Sequence, residues 1–225
     1  MEEIQTLPLP GCREPLSSFS HLLGAVVFTV LAAILVRRGR GDWVRMTSLV
    51  VMASCSVLLL SLSGIYHLFW PGPMRAIMVR ADVSAIFLLI AGCMTPIHAI
   101  LFQGVSRWLP LVLIWMIAAL GIVLRLIFYE WVNGSVGIAI FLLYGWGCAS
   151  TAIVLWRRFG WTFIQPAVMA GLAYTLGAIV LLNHAPTLVV GVIGPHELWH
   201  VAVLSGLALH WRFVFQFAAG LKIVP

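Results

Sequence analysis

Seven stretches of this chain stay apolar for about 20 residues, the length that crosses the hydrocarbon core of a bilayer. They cover residues 19–36, 46–69, 83–102, 108–128, 136–156, 163–182 and 198–217, and only short polar clusters separate them. The pattern predicts an all-α integral membrane protein, a seven-transmembrane helix bundle forming a single domain over residues 1–225. Residues 1–18 form a polar N-terminal segment carrying Glu2, Glu3 and Glu14. This segment lacks the basic-then-apolar order of a signal peptide, so the first span is expected to stay in the mature protein.

Composition narrows the class. Hydrophobic residues make up 62% of the chain and charged residues 9%, where a soluble domain carries roughly 25% charged residues. The formal charge of +6 raises the question of nucleic acid, but the positions of the arginines answer it. Arg37, Arg38, Arg40 and Arg45 flank the first loop, Arg107 the third, Arg157 and Arg158 the fifth, and Arg212 and Lys222 lie near the C-terminus. With seven spans, these nine of thirteen basic residues share one side. The positive-inside rule makes that side cytoplasmic. The expected setting is the plasma (bacterial inner) membrane, N-terminus outside and C-terminus inside, with no nucleic-acid partner. Arg75 and Arg80 fall on the other side. Cys12, Cys55, Cys93 and Cys148 form no CxxC pair and read as free or buried thiols. Ala173 and Gly177, four apart, suit close helix packing.

The polar residues inside or beside the spans carry the chemistry, because ionisable groups in a membrane are costly and mark function. Alternating spans bring the starts of the odd ones to the ends of the even ones. His21, His67, His184, His196 and His200 therefore share one end, together with six of the seven acidic residues, while His98 and His210 belong to the other half. The last two read as interfacial or hydrogen-bonded histidines. His196 and His200 lie four apart on one helix face, so both can bind one metal ion. Ser63 and His67 repeat that spacing, and a serine one turn deeper can hydrogen-bond a metal-bound water or orient a ligand. Asp82 opens span three beside Arg80. It is either a salt-bridged helix-start residue or a carboxylate facing the histidines. Three neutral imidazoles on zinc leave a fourth position for water, and a carboxylate beside that water can take its proton.

Three blocks are distinctive together. They are Glu14-Pro15-Leu16-Ser17-Ser18-Phe19-Ser20-His21, the run from Ser63-Gly64-Ile65-Tyr66-His67 through Asp82 to Pro96, and His196-Glu197-Leu198-Trp199-His200 continuing to His210. In these blocks the chain resembles the haemolysin III branch of the progestin and adipoQ receptor family, seven-span proteins that include the adiponectin receptors. The resemblance implies Zn2+ held by His67, His196 and His200. It implies Asp82 in contact with the zinc-bound water, Ser63 beside it, and a site like that of the alkaline ceramidases, which hydrolyse a lipid amide. Asp82 is followed by Val83, where close relatives often have His. The family's receptors are drawn with a cytoplasmic N-terminus, opposite to the charge count above.

The leading expectation is a zinc hydrolase of a lipid amide or ester, with Asp82 as general base and Ser63 steadying the oxyanion. His21 and Glu14 are expected to support the site from the mouth of the cavity, His21 tying Glu14 or Ser63. A membrane lipid is the expected substrate or ligand. Three alternatives stand beside this reading. One is a non-catalytic lipid sensor, receptor or membrane-homeostasis protein with structural zinc. Another is a membrane metalloprotease, since His196–His200 also fits HExxH with Glu197 as base. The third is a lytic pore, although the chain has no polar repeat that would line a lumen.

Overall fold

The computed structural model describes residues 7–132 and 134–220, and in them the long elements are all helices. Its helices are α1 (Pro15–Arg38), α2 (Trp43–Tyr66), α3 (Pro73–Leu101), α4 (Val105–Ile127), α5 (Gly134–Trp146), α6 (Ala149–Phe159), α7 (Trp161–Leu182) and α8 (Pro195–Phe215). Taking α5 and α6 together as one crossing, 7 helices are long and apolar enough to span a membrane. The protein is an integral membrane protein of seven-helix bundle architecture.

Local sequence explains the ends. Three odd-numbered crossings, α1, α3 and α8, begin on a proline. Proline suits that place because its fixed φ fits the first turn, where no backbone donor is needed. Asp42 caps α2, its carboxylate accepting from the backbone N–H of Arg45 at 2.9 Å. The fifth crossing is interrupted between Trp146 and Ala149, where Gly145 and Gly147 weaken the helix.

Helix α3 starts ten residues before the apolar run at 83 that marks it in the sequence. Arg75 and Arg80 lower the hydropathy of its first turns, but both cations find partners there. Arg75 is buried against Glu14 and Tyr66, and Arg80 donates to the Leu126 carbonyl at 3.2 Å. Asp82 consequently lies nearly three turns inside α3 rather than at its start.

Chain neighbours pack on one another, α1 on α2, α2 on α3, α3 on α4 and α7 on α8, and α8 closes back on α1. Helix α3 is central, with 72% of its most apolar stretch buried, against 11% for the fifth crossing. Lipid tails are as apolar as leucine, so helix association rests on close packing at small residues. A side chain at Gly64 would collide with Leu22, and one at Gly177 with Ala202 and Trp199. These two glycines let α1 approach α2, and α7 approach α8, beside the polar end of the bundle. The outer stripe of α1 (Leu23, Val26, Val30, Ile34) is exposed, as a lipid-facing surface should be. All four cysteines are free thiols.

Candidate metal centre

His67 caps the C-terminal end of α2, its backbone N–H held by Ser63 and Ile65 carbonyls. His196 and His200 occupy the first two turns of α8, directly after Pro195. The bundle brings these ends together. His67 Nε2 lies 3.4 Å from His196 Nε2, and His200 Nε2 lies 3.1 Å from His196 Nε2. One nitrogen from each of the three rings falls within 4.8 Å of the others, with His67 and His200 buried and His196 partly so.

Two observations fit a cation at the centre. Imidazole nitrogens at tetrahedral angles and about 2.0–2.1 Å from one ion stand roughly 3.3 Å apart, close to the spacings seen. Neutral rings also carry only one proton each. Three Nε2 atoms facing one another cannot all be satisfied by hydrogen bonds among themselves, whereas one cation satisfies them together.

The tautomer of His67 is set from behind. Its Nδ1–H donates to Glu14 Oε2, so Nε2 presents its lone pair to the other two rings. Arg75 Nη2 donates to Glu14 Oε1 at 2.8 Å and to the Tyr66 hydroxyl at 3.0 Å, while Arg75 Nη1 donates to the Phe69 carbonyl at 2.9 Å. Arg13 Nε lies 3.4 Å from the same carboxylate. Burial by itself would raise the Glu14 carboxyl. The hydrogen bond from His67 and the positive charge of Arg75 outweigh it and hold the group down at about 2.

Asp82 is partly buried on α3, where the Ser63 hydroxyl and the His67 ring are the polar groups acting on its carboxylate. Ser63 is buried one turn before His67. His21 is buried with its ring centroid 3.9 Å from that of His200, and its two nitrogens form no hydrogen bond to a described residue. Glu14 thus reaches the cluster through a direct hydrogen bond to His67, and His21 through ring contact with His200. His184 is exposed and is not one of the converging groups.

Glu197 bears on the protease alternative. It is buried, accepting from Ser17 Oγ at 3.0 Å through one oxygen and from the Gly194 backbone N–H at 3.0 Å through the other. One oxygen therefore ties the start of α8 to α1, and the other caps α8 itself. Ser18 adds a bond from its hydroxyl to the Gly64 carbonyl at 2.8 Å.

Sequence reasoning did not assign Arg75, Tyr66, Arg13 or Ser17 to the site. With α3 starting at Pro73, Arg75 is a basic residue in the first turn of a helix, where the macrodipole disfavours positive charge. Such a residue wants an acid from elsewhere, and Glu14 supplies it.

The fold and site together define a class: a seven-helix membrane protein with a buried three-histidine cluster that can hold a metal ion. Within that class the chain belongs to the haemolysin-III-related family, whose sequence model matches residues 12–211 and so takes in every residue of the cluster. It is also similar to Hemolysin-3 of Bacillus cereus, at 25% identity over 199 residues and 88% of each chain.

Proposed function

We propose that the protein is a zinc hydrolase that cleaves an amide or ester bond of a membrane lipid. The observation that carries this reading is the convergence of His67, His196 and His200 beside a separate carboxylate, Asp82, which is not one of the three converging groups. When bound by three neutral imidazoles, zinc supplies an open position and a water whose pKa is lowered to about 7. In this reading Asp82 takes a proton from water on its side of the cluster. Once Asp82 has taken that proton, the Ser63 hydroxyl that acts on it would be free to turn its one hydrogen to the oxygen of a lipid carbonyl as charge develops there. Glu14 holds His67 in one tautomer, and Arg75 and Arg13 hold Glu14. A site set among apolar crossings favours a lipid over a water-soluble substrate.

A second reading is favoured by the same geometry. The cluster ties the end of α2 to the start of α8 and, through Glu14, to the segment before α1, so a metal ion there would cross-link the bundle. Metal-loaded protein in lipid discs, offered N-acyl and O-acyl lipids, separates the two. The hydrolase reading expects free fatty acid by mass spectrometry and a loss of about 10–100-fold in Asp82→Asn with metal retained. Absence of release across both lipid classes, with a lower melting temperature after chelation, would leave only the cross-link.

We also propose that the arginine-rich end faces the cytoplasm, which places the histidine cluster toward the outer face. A reporter active only in the cytoplasm, fused after Pro225, should be active. An active extracytoplasmic reporter at that position would reverse the chain.

A further inference from the structure

A groove of about 570 Å³ runs along the outside of the bundle between α1 and α8. Its walls are two helical stripes. Ser20, Leu23, Gly24, Val27, Phe28 and Leu31 come from α1, and α8 contributes Leu204, Ala208, Trp211, Arg212 and Phe215. Both stripes follow three- and four-residue steps over eleven residues, about 17 Å of helix, close to the roughly 15 Å of hydrocarbon in one leaflet. The stripes end differently. At the histidine end Ser20 turns its hydroxyl back to the Ser17 carbonyl at 3.2 Å, which leaves an apolar wall. At the other end Arg212 is exposed and has no hydrogen bond or ion pair with a described residue.

The charges around that end are one-sided. Arg38 closes the groove by donating to the Phe215 carbonyl at 3.0 Å, with its guanidinium 5.3 Å from the Phe215 ring centre. The nearby carboxylate, Asp42, is engaged by Arg45. Two cations therefore face the membrane at the foot of an apolar slot one leaflet long, and among the described residues no carboxylate pairs with Arg212. An arginine in a membrane span needs a counter-charge or a route to the headgroups, and a guanidinium matches a phosphate with two parallel donors.

We propose that this groove is a binding site for one anionic phospholipid, its phosphate on Arg212 and an acyl chain lying between α1 and α8 toward Ser20. The site is distinct from the histidine cluster and does not rest on the hydrolase reading. The occupant is a resident lipid, read from charge and length.

The test uses the full chain, purified and delipidated in detergent, then given equal phosphatidylglycerol and phosphatidylcholine. Native mass spectrometry counts the lipid retained, and circular dichroism confirms the fold of each variant. Wild type should retain phosphatidylglycerol in preference. Arg212→Gln should lower that preference about tenfold, the scale of one charge-assisted hydrogen bond. Arg157→Gln, an exposed arginine at the same end, should leave it unchanged. Ala208→Trp, which fills the slot from an exposed position, should remove the retained lipid. Equal preference in wild type and Arg212→Gln would overturn the proposal, as would an equal loss in Arg157→Gln or undiminished retention in Ala208→Trp. A lipid-free dimer that Ala208→Trp dissociates would overturn it in favour of a second copy in the groove.

Discussion

At the arginine-rich end of the bundle, His98 donates from Nδ1 to the Ser106 carbonyl at 3.0 Å and accepts at Nε2 from the Thr151 hydroxyl at 3.1 Å. His210, deeper in the same half, donates to the Cys93 carbonyl at 3.1 Å. At the opposite end His67, His196 and His200 direct Nε2 at one another, and among the described residues only His67 has a carboxylate behind it. The residue type is the same, but the partners differ. A histidine whose nitrogens meet a carbonyl or a hydroxyl is a satisfied packing element. Imidazoles whose nitrogens meet other imidazoles form a set that can hold a cation. Partner identity, more than depth in the membrane, separates the two groups, since both contain buried rings.

The sharpest way to break this comparison is to delete rings from each group and measure metal in the purified protein. His67→Ala, His196→Ala and His200→Ala should each lose most of the bound metal, because two imidazoles seldom hold zinc against water. His210→Ala should keep it. A His67→Ala protein with one metal per chain would remove the distinction. A smaller effect should follow from Glu14→Gln, which keeps the shape but removes the charge behind His67. Metal affinity should fall by about 10–100-fold, read by competition with a chelator. Unchanged affinity would make Glu14 a folding contact only. Smaller again, His98→Ala should cost about 1–3 kcal/mol of stability in a thermal melt, since it strands a carbonyl and a hydroxyl. Its metal content should stay at the wild-type level, and a loss would place His98 in the wrong group.

Much of this arrangement is legible in the sequence. The apolar runs mark all seven crossings, and the four-residue spacings of Ser63–His67 and His196–His200 mark the faces that meet. Two things are not legible, for a common reason. The early start of α3 and the support behind His67 both depend on the pairing of Arg75 with Glu14, which are 61 residues apart. Hydropathy scores Arg75 as a loop residue because it cannot know that the charge will be neutralised by a distant partner. The same limit applies to Glu197. Its HExxH context suggests a catalytic base, and only the Ser17 hydroxyl, 180 residues away, reveals the carboxylate as a brace.

The span between partners in the cluster also bears on how the protein is made. His67 and His196 are separated by 129 residues, with His196 at the start of the last crossing. At about 5–20 residues per second, a ribosome takes on the order of ten seconds to move from one to the other. Throughout that interval Glu14 and His67 are already synthesised and must wait in the membrane for their counterparts. The centre is thus completed only by the final helix, so a bound ion would act as a proofreader of biogenesis, favouring chains whose last crossing has inserted.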